Sequence, residues 1–427
     1  MEILKDEKES FYSAYKDLDK QFNIHRDSSY QYLVHFSRRM SEPIHRWFYY
    51  QEGYYPQLVL NIFGHLNIQS RETLVLDPFT GSGTTLLAAK QLGMKSTGFE
   101  INPFSAFMSE VKTRNYTQED LKAVKEFKLP SYIPIPDIYK QYELKIIRNL
   151  FDEVKLQKIE LLKKEIAKID NARAKDLLFF ALLSILERVS NYRKGGNGLK
   201  KKRVNKDLDP FEEFERKVHE INEDLEVAVT GPEPTVVNDS CLNISNYSIQ
   251  NVGVSLFSPP YANCFDPFEV YKMELWLGNF VSSYSDLRRK RRMALASNLN
   301  VNLSRIIDHS HRTDLLNRII DYLYHQRLWD VRIPRMLDVY FHEMHTLLKS
   351  LYERTTNGGF CVIVIGNSAY GNLAIPTDII LSQIGEKANF KVKEIIIARN
   401  NETSSQQHKK LGNLLEYLRE SVVVLAK

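Results

Sequence analysis

Short apolar runs alternate with amphipathic stretches along much of the chain, in the order strand, helix, strand. Residues 73–78 (TLVLDP) are an apolar run closed by Asp-Pro, which predicts a buried strand. Gly81 and Gly83 follow at turn positions. TTLLAAKQLG (84–93) predicts a helix stopped by Gly93, and KSTGFE (95–100) predicts a second strand ending at Glu100. A strand–loop–helix–strand unit of this kind opens a doubly wound α/β sheet.

From 112 to 233 the pattern changes. Residues 140–168 and 171–190 predict helices, and in the second Leu177, Leu178, Ala181, Leu182, Ile185, Leu186 and Val189 recur at helical spacing. A glycine-rich basic loop, YRKGGNGLKKKR (192–203), and a charged helix from about 210 complete a predicted helical insertion. Strands resume with TVVND (235–239) and VGVSLFSPPY (252–261). An amphipathic helix over 335–352 feeds GGFCVIVIG (358–366), a central-strand pattern. PTDIILSQIGEKANF (376–390) predicts a helix, and KVKEIIIAR with ESVVVLA predicts a terminal antiparallel pair of strands.

Composition narrows the class. With 427 residues, 43% of them hydrophobic, and 23 Tyr and 22 Phe, the chain can bury a large core. Cys241, Cys264 and Cys361 have neither disulfide nor metal-ligand spacing, so a reducing compartment and no metal centre are expected. The N-terminus is charged, without the apolar region of a secretory signal. The longest apolar run, LLFFALL at 177–183, is far short of the ~20 residues that span a membrane. A cytoplasmic location with no membrane partner is expected. The net charge of +5 is a weak signal, but cations cluster at Lys200, Lys201, Lys202 and Arg203 and again over 288–292. Such runs fit a polyanion partner or an ordinary solvated face.

The loop DPFTGSGTT (77–85) lies at a strand end, where open α/β sheets bind ligands. No Lys follows Gly83, so it is not a P-loop. Leu86 occupies the position where a dinucleotide fingerprint needs a small residue. Asp77 would repel a pyrophosphate and attract an ammonium group, and Glu100 fits the acid that binds ribose hydroxyls. A nucleoside with a cationic amino-acid tail, S-adenosylmethionine, satisfies both. The alternative is a tight turn with Asp77 capping the next helix.

DPFTGSGTT resembles the cofactor motif of the DNA amino-methyltransferases, which methylate cytosine N4 or adenine N6. Their second motif, [DNS]-P-P-[YFW], has its counterpart in Ser258-Pro259-Pro260-Tyr261 at the end of the VSLF strand. The resemblance implies a Rossmann-like fold with a seven-stranded, mostly parallel sheet. It implies an S-adenosylmethionine site made of Asp77, Pro78, Phe79, Gly81, Ser82, Gly83, Thr84, Glu100 and Asn102, with Asp239 and Ser240 at the adenine. The stretch 41–63 resembles the element covering the methionine end of the cofactor, with His45, Arg46 and Trp47 at its matching positions.

In such a site the Ser258 hydroxyl and Pro259 carbonyl orient an exocyclic amino group, and Tyr261 stacks on a base extruded from the duplex. A structural proline turn is the alternative for this motif. GNSAYG (366–371) falls near where the base would enter. Carbon-5 methylation of cytosine, which in that family uses a Cys after Pro, is excluded: Ser240, Asn263 and Phe360 precede the three cysteines.

Serine at the head of SPPY, by resemblance, points to cytosine N4, with adenine N6 second and RNA guanine N2 third. The implied role is either the modification half of a restriction–modification pair, with a cognate endonuclease as functional partner, or an orphan methyltransferase, in a prokaryote. A non-catalytic DNA-binding relative is disfavoured by intact Asp77, Glu100 and SPPY. For double-stranded DNA the candidate contacts are Lys194, Asn197, Lys200, Lys201, Lys202 and Arg203 in one basic loop, and Arg289 and Arg291 in the other. The expected division is an N-terminal segment (1–72), a core (73–111, 234–280, 335–427), a helical insertion with the basic loop (112–233), and a second insertion (281–334) that is a candidate for target recognition.

Overall fold

The computed structural model describes residues 2–36, 40–68, 70–203, 207–401 and 410–427. Its strands, in chain order, are β1 (Ile24–Arg26), β2 (Leu74–Asp77), β3 (Ser96–Phe99), β4 (Tyr192–Lys194), β5 (Leu199–Lys201), β6 (Thr235–Val237), β7 (Val252–Phe257), β8 (Thr355–Gly366), β9 (Ser368–Tyr370), β10 (Leu373–Ile375), β11 (Lys391–Asn400) and β12 (Arg419–Ala426). Eight of them form one sheet in the order β1-β11-β12-β8-β7-β2-β3-β6. Neighbours are parallel except where β12 runs against β11 and β8. This is the Rossmann-like, mostly parallel α/β sheet expected, with one strand more. The extra strand, β1, pairs with β11 through only three residues, IHR, too short to carry an alternating pattern.

Period-two alternation divides the strands between two cores. Val254, Leu256, Val362, Val364, Val422 and Val424 face one side, under the helix Pro56–His65. Phe257, Cys361, Ile363, Ile365, Val423 and Leu425 face the other, under the helices Pro103–Thr113 and Ile333–Arg354. The helix Ala172–Val189 belongs to this second core: Leu177, Leu178 and Phe180 share it with Phe104, Met108 and Phe257. Its apolar residues cover more than one stripe because the helix is covered on several sides, by helices Gln118–Glu126, Glu153–Ala167 and Pro210–Glu226 and by Pro103–Thr113.

Two local expectations need correction. The single helix read over 140–168 is broken: a short turn at Ile147–Leu150 ends at Phe151, and Asp152 caps a new helix, Glu153–Ala167, by accepting from the Lys155 N–H at 2.9 Å. The basic loop 192–203 is a hairpin, β4 against β5, closed through Gly196 at φ +57°. Among the described residues no helix is long and apolar enough to cross a membrane, and the three cysteines are unbridged.

Candidate active site

The chain order of the strands reverses between β2 and β7, and their C-terminal ends open side by side. β2 delivers Asp77 and the loop behind it; β7 delivers Ser258 directly after Phe257. A cavity of about 360 Å³ fills the crevice between them. Pro78, Phe79, Gly81, Ser82, Thr84 and Glu100 line one end, and Ser258, Pro259, Pro260 and Tyr261 line the other. Two motifs 180 residues apart in the chain thus share one wall-to-wall space.

The first end is anionic. Asp77 is 1% exposed, accepts from the Phe79 N–H at 2.9 Å and meets the hydroxyls of Thr85 and Tyr54. Glu100 accepts from Gly81 N–H at 2.9 Å and from Asn102 N–H at 2.8 Å, which ties the loop to the end of β3. Glu52 accepts from the Tyr271 hydroxyl at 2.5 Å and leaves Oε1 without a partner. Desolvation pushes each of the three carboxyls up to about 7, and the backbone N–H donors offset only part of it. Among the described residues no basic side chain forms an ion pair with Asp77 or Glu100. Such a trio is complementary to a cation. Gly81, at φ +53°, brings its backbone against Tyr50: a Cβ there would lie 2.9 Å from the ring.

The second end has its charge paired: Glu420 lines it beside Tyr261 and accepts from Arg399 Nε at 2.5 Å. Burial raises the Tyr261 phenol well above its ordinary value, and the nearby Ser258 hydroxyl offsets a small part of this. The Tyr261 ring lies on Gly366 at the end of β8, where a Cβ would sit 2.5 Å from the ring edge. Tyr370 donates to the Ala262 carbonyl at 2.9 Å and so fixes the backbone just past the motif. GNSAYG therefore supports the SPPY turn from below. Cys264 lies outside the cavity lining, at φ +64°, with Sγ 3.4 Å from the Tyr370 hydroxyl.

Some expected cofactor residues act one step behind the cavity. Gly83, at φ +82°, caps the helix Thr84–Gln91. The Asn102 carbonyl oxygen accepts from Phe104 N–H at 3.1 Å and caps the helix Pro103–Thr113. Ser240 lines the cavity, but the Asp239 carboxylate is spent on its own turn, accepting from Ser240 N–H (2.7 Å), Asn243 Nδ2 (2.9 Å) and the Tyr247 hydroxyl (2.9 Å).

His45, Arg46 and Trp47 are displaced from the role expected of them. Arg46 grips Asp224 through two nitrogens and Trp47 Nε1 donates to the same carboxylate at 2.8 Å, so this turn anchors the segment to the helix Pro210–Glu226. The residues of that segment that reach the cavity are Tyr50, Glu52 and Tyr54. A lone carboxylate inside the aromatic run FYYQEGYY was the signal available for Glu52. Cys241, Ser297 and Asn298 also line the cavity and carried no signal in the sequence.

The basic residues divide in the same way. Asn197, Lys200, Lys201 and Arg203 are exposed, and Gly196 at the hairpin tip reaches the cavity rim. Arg289 is exposed and pairs with Asp286 at 2.7 Å. Lys194 is not a surface cation: it is 1% exposed, paired with the buried Glu274, and lies 4.3 Å from the centre of the Phe48 ring. Lys202 donates to the carbonyls of Glu187, Arg188 and Ser190, closing the end of the helix Ala172–Val189. Arg291 is held by Asp266, at 3.1 Å, and by Glu269. These three serve folding because alternate residues of the hairpin turn inward, and Arg291 lies one helical turn past the buried Leu287.

A family model described as DNA methylase, of the N6/N4 type, matches residues 66–109, the segment that carries β2, the glycine loop and β3. The chain is 28% identical to the Type II methyltransferase M.AvaI of Nostoc sp. over 417 residues, covering 88% of this chain and 85% of that protein. It is 27% identical to M.BsoBI of Geobacillus stearothermophilus over 453 residues, covering 92% and 88%. A shorter match, 36% over 85 residues, covers 19% of this chain and 18% of the Type II methyltransferase M.MvaI of Kocuria varians. The chain is thus similar to Type II methyltransferases along nearly its whole length, and to N6/N4-type DNA methylases over the segment that builds one end of the crevice.

Proposed function

We propose that this protein is a site-specific DNA methyltransferase that transfers a methyl group from S-adenosylmethionine to N4 of a cytosine turned out of the duplex, as the modification partner of a restriction endonuclease. One observation carries the reading: a single cavity has three desolvated carboxyls at one end and Ser258-Pro259-Pro260-Tyr261 at the other. The donor set fits the cofactor. Asp77 and Glu52 suit its ammonium and sulfonium charges, and Glu100 suits ribose hydroxyls. When bound, S-adenosylmethionine supplies an electrophilic methyl; everything else is positioning by the chain.

An exocyclic amino group is a weak nucleophile because its lone pair is delocalised into the ring. The Ser258 hydroxyl oxygen has lone pairs for one amino N–H, and the Pro259 carbonyl takes the second. The two acceptors turn the amino lone pair towards the cofactor end. The Tyr261 face, backed by Gly366, is the surface for stacking the extruded base. The exposed Asn197, Lys200, Lys201 and Arg203 on the hairpin, with Arg289, are the proposed phosphate and groove contacts.

The experiment is methylation of duplex DNA with labelled S-adenosylmethionine, followed by nucleoside analysis. N4-methylcytosine is expected. N6-methyladenine would reassign the target base, and label confined to RNA would overturn the DNA reading. Ser258→Ala with Tyr261→Ala should lose at least about 100-fold in rate while retaining cofactor affinity, because the pair acts on the acceptor alone.

A further inference from the structure

Four of the chain's 11 histidines, His309, His311, His342 and His345, gather where the loop over 305–313 crosses the helix Ile333–Arg354. None of them belongs to the cavity described above. His311 is fully buried, and its Nε2 lies 3.0 Å from Asp338 Oδ1. Asp338 is also held by two nitrogens of Arg312, at 3.0 and 2.7 Å. With both Asp338 oxygens engaged by the Arg312 fork, the carboxylate acts as acceptor and Nε2 of His311 is the donor. The Nδ1 lone pair is therefore free, and it is buried without a hydrogen-bond partner.

Further ligating atoms gather beside the His311 ring. The His342 ring stands 5.3 Å from the His311 ring at 73°, and its Nδ1 likewise makes no hydrogen bond. Asp308 Oδ1 lies 3.4 Å from His342 Nδ1. One ligating atom from each of Asp308, His311 and His342 lies within 4.8 Å of the other two.

We propose that Asp308, His311 and His342 form a binding site for a divalent transition metal of the zinc class. Bonds of about 2.0–2.1 Å in a tetrahedron place neighbouring ligands about 3.3 Å apart, which the Asp308–His342 pair already meets. Two imidazoles and one carboxylate favour zinc, cobalt or nickel over magnesium or calcium, whose ligands are oxygens. Asp338 supplies the outer carboxylate that fixes the ring and tautomer of a metal-bound histidine. Asp308, with its side chain 69% exposed, opens the site to solvent and leaves room for water as a fourth ligand.

The site has a structural consequence. Arg305, at the head of the loop, donates to the Arg292 carbonyl at 2.5 Å and to the Ala294 carbonyl at 3.1 Å. Ala294, Leu295, Ser297 and Asn298 form a wall of the large cavity. A metal joining Asp308 to His342 clips the loop, and through it this wall, onto the long helix.

The test uses the full chain without an affinity tag, stripped with a chelator and titrated with Zn2+ or Co2+ alone. One equivalent of either ion is expected per chain, with visible ligand-field bands for Co2+ that Zn2+ abolishes, and a rise in melting temperature. Asp308→Ala removes a ligand from an exposed loop and should weaken binding at least tenfold without altering the metal-free melt. His342→Gln should do the same. Asp338→Asn should weaken it roughly 10- to 100-fold. A wild-type chain that binds neither ion at micromolar concentration, or variants that bind as well as wild type, would overturn the site.

Discussion

Replacing Asp77 by Asn separates the charge of the cavity from its shape. Asn keeps an acceptor for the Phe79 N–H, so the loop geometry survives. Burial raises the Asp77 carboxyl from 3.8 to about 7, so the folded chain keeps a proton that the unfolded chain has given up. The stability tied to that proton is complete below the unfolded value and is lost as the pH climbs through about 7. Over the accessible window, from pH 5 to about 7, two units at about 1.36 kcal/mol each give about 3 kcal/mol. Glu100 raises Asp77 further and titrates with it, so this is a ceiling for the single site.

An unfolding entropy of ~2.1 cal/mol/K per residue over 427 residues is about 0.9 kcal/mol/K, which turns the ceiling into about 3 °C. Scanning calorimetry without cofactor, from about pH 5 to about pH 8, should therefore show wild type losing up to this much relative to Asp77→Asn. Saturating S-adenosylmethionine should restore wild type at the upper end, because a bound cation favours the ionised carboxyl, and should do far less for the variant. Parallel curves for the two proteins, or a cofactor affinity for wild type that falls as the pH rises from 6 to 8, would refute the reasoning.

Lys194→Met leaves Glu274 buried without its cation, so denaturant melts should show a loss of about 3–5 kcal/mol, largely recovered in Lys194→Met with Glu274→Leu. Lys200→Ala with Lys201→Ala should leave folding intact and make the slope of log affinity against log salt shallower by about 0.9 per lost phosphate contact, measured by fluorescence anisotropy with duplex DNA. Gly81→Ala forces a Cβ into a left-handed position 2.9 Å from the Tyr50 ring; the strain of about 1–3 kcal/mol should weaken cofactor binding roughly 5- to 150-fold in equilibrium dialysis.

Strands with strong apolar runs were legible because their burial is two-sided: LVL, VSLF and CVIVI have no other place to go than a covered sheet. The crevice was legible because strand-end loops with glycine and proline keep their geometry locally. What could not be read depends on contacts distant in sequence. The break at Asp152 follows from a cap, a single side chain inside an otherwise helical pattern. Lys194, Lys202 and Arg291 look like their exposed neighbours in composition, and only the fold decides which cation of a run turns inward towards Glu274, a helix end or Asp266. The histidine cluster unites a loop with a helix 30 residues on, and no spacing rule joins them.

On the proposed reading, the cavity's own polarity sets the direction of the reaction. Glu52, Asp77 and Glu100 make one end the place for charge, and the absence of cations beside Asp77 and Glu100 among the described residues means that a cationic ligand supplies what the fold withholds. The Ser258 end offers lone pairs and an aromatic face, and its one lining carboxylate, Glu420, is already paired with Arg399, which suits a neutral base and would bind the charged end poorly. A ligand inserted backwards would leave three desolvated carboxyls unrelieved and place a cation against Pro259, Pro260 and Tyr261. The same burial that makes the empty cavity costly to ionise thus selects both the occupant and its orientation. Placement of the methyl donor at Asp77 and of the amino acceptor at Ser258 then follows from two strands, β2 and β7, that lie side by side in the sheet.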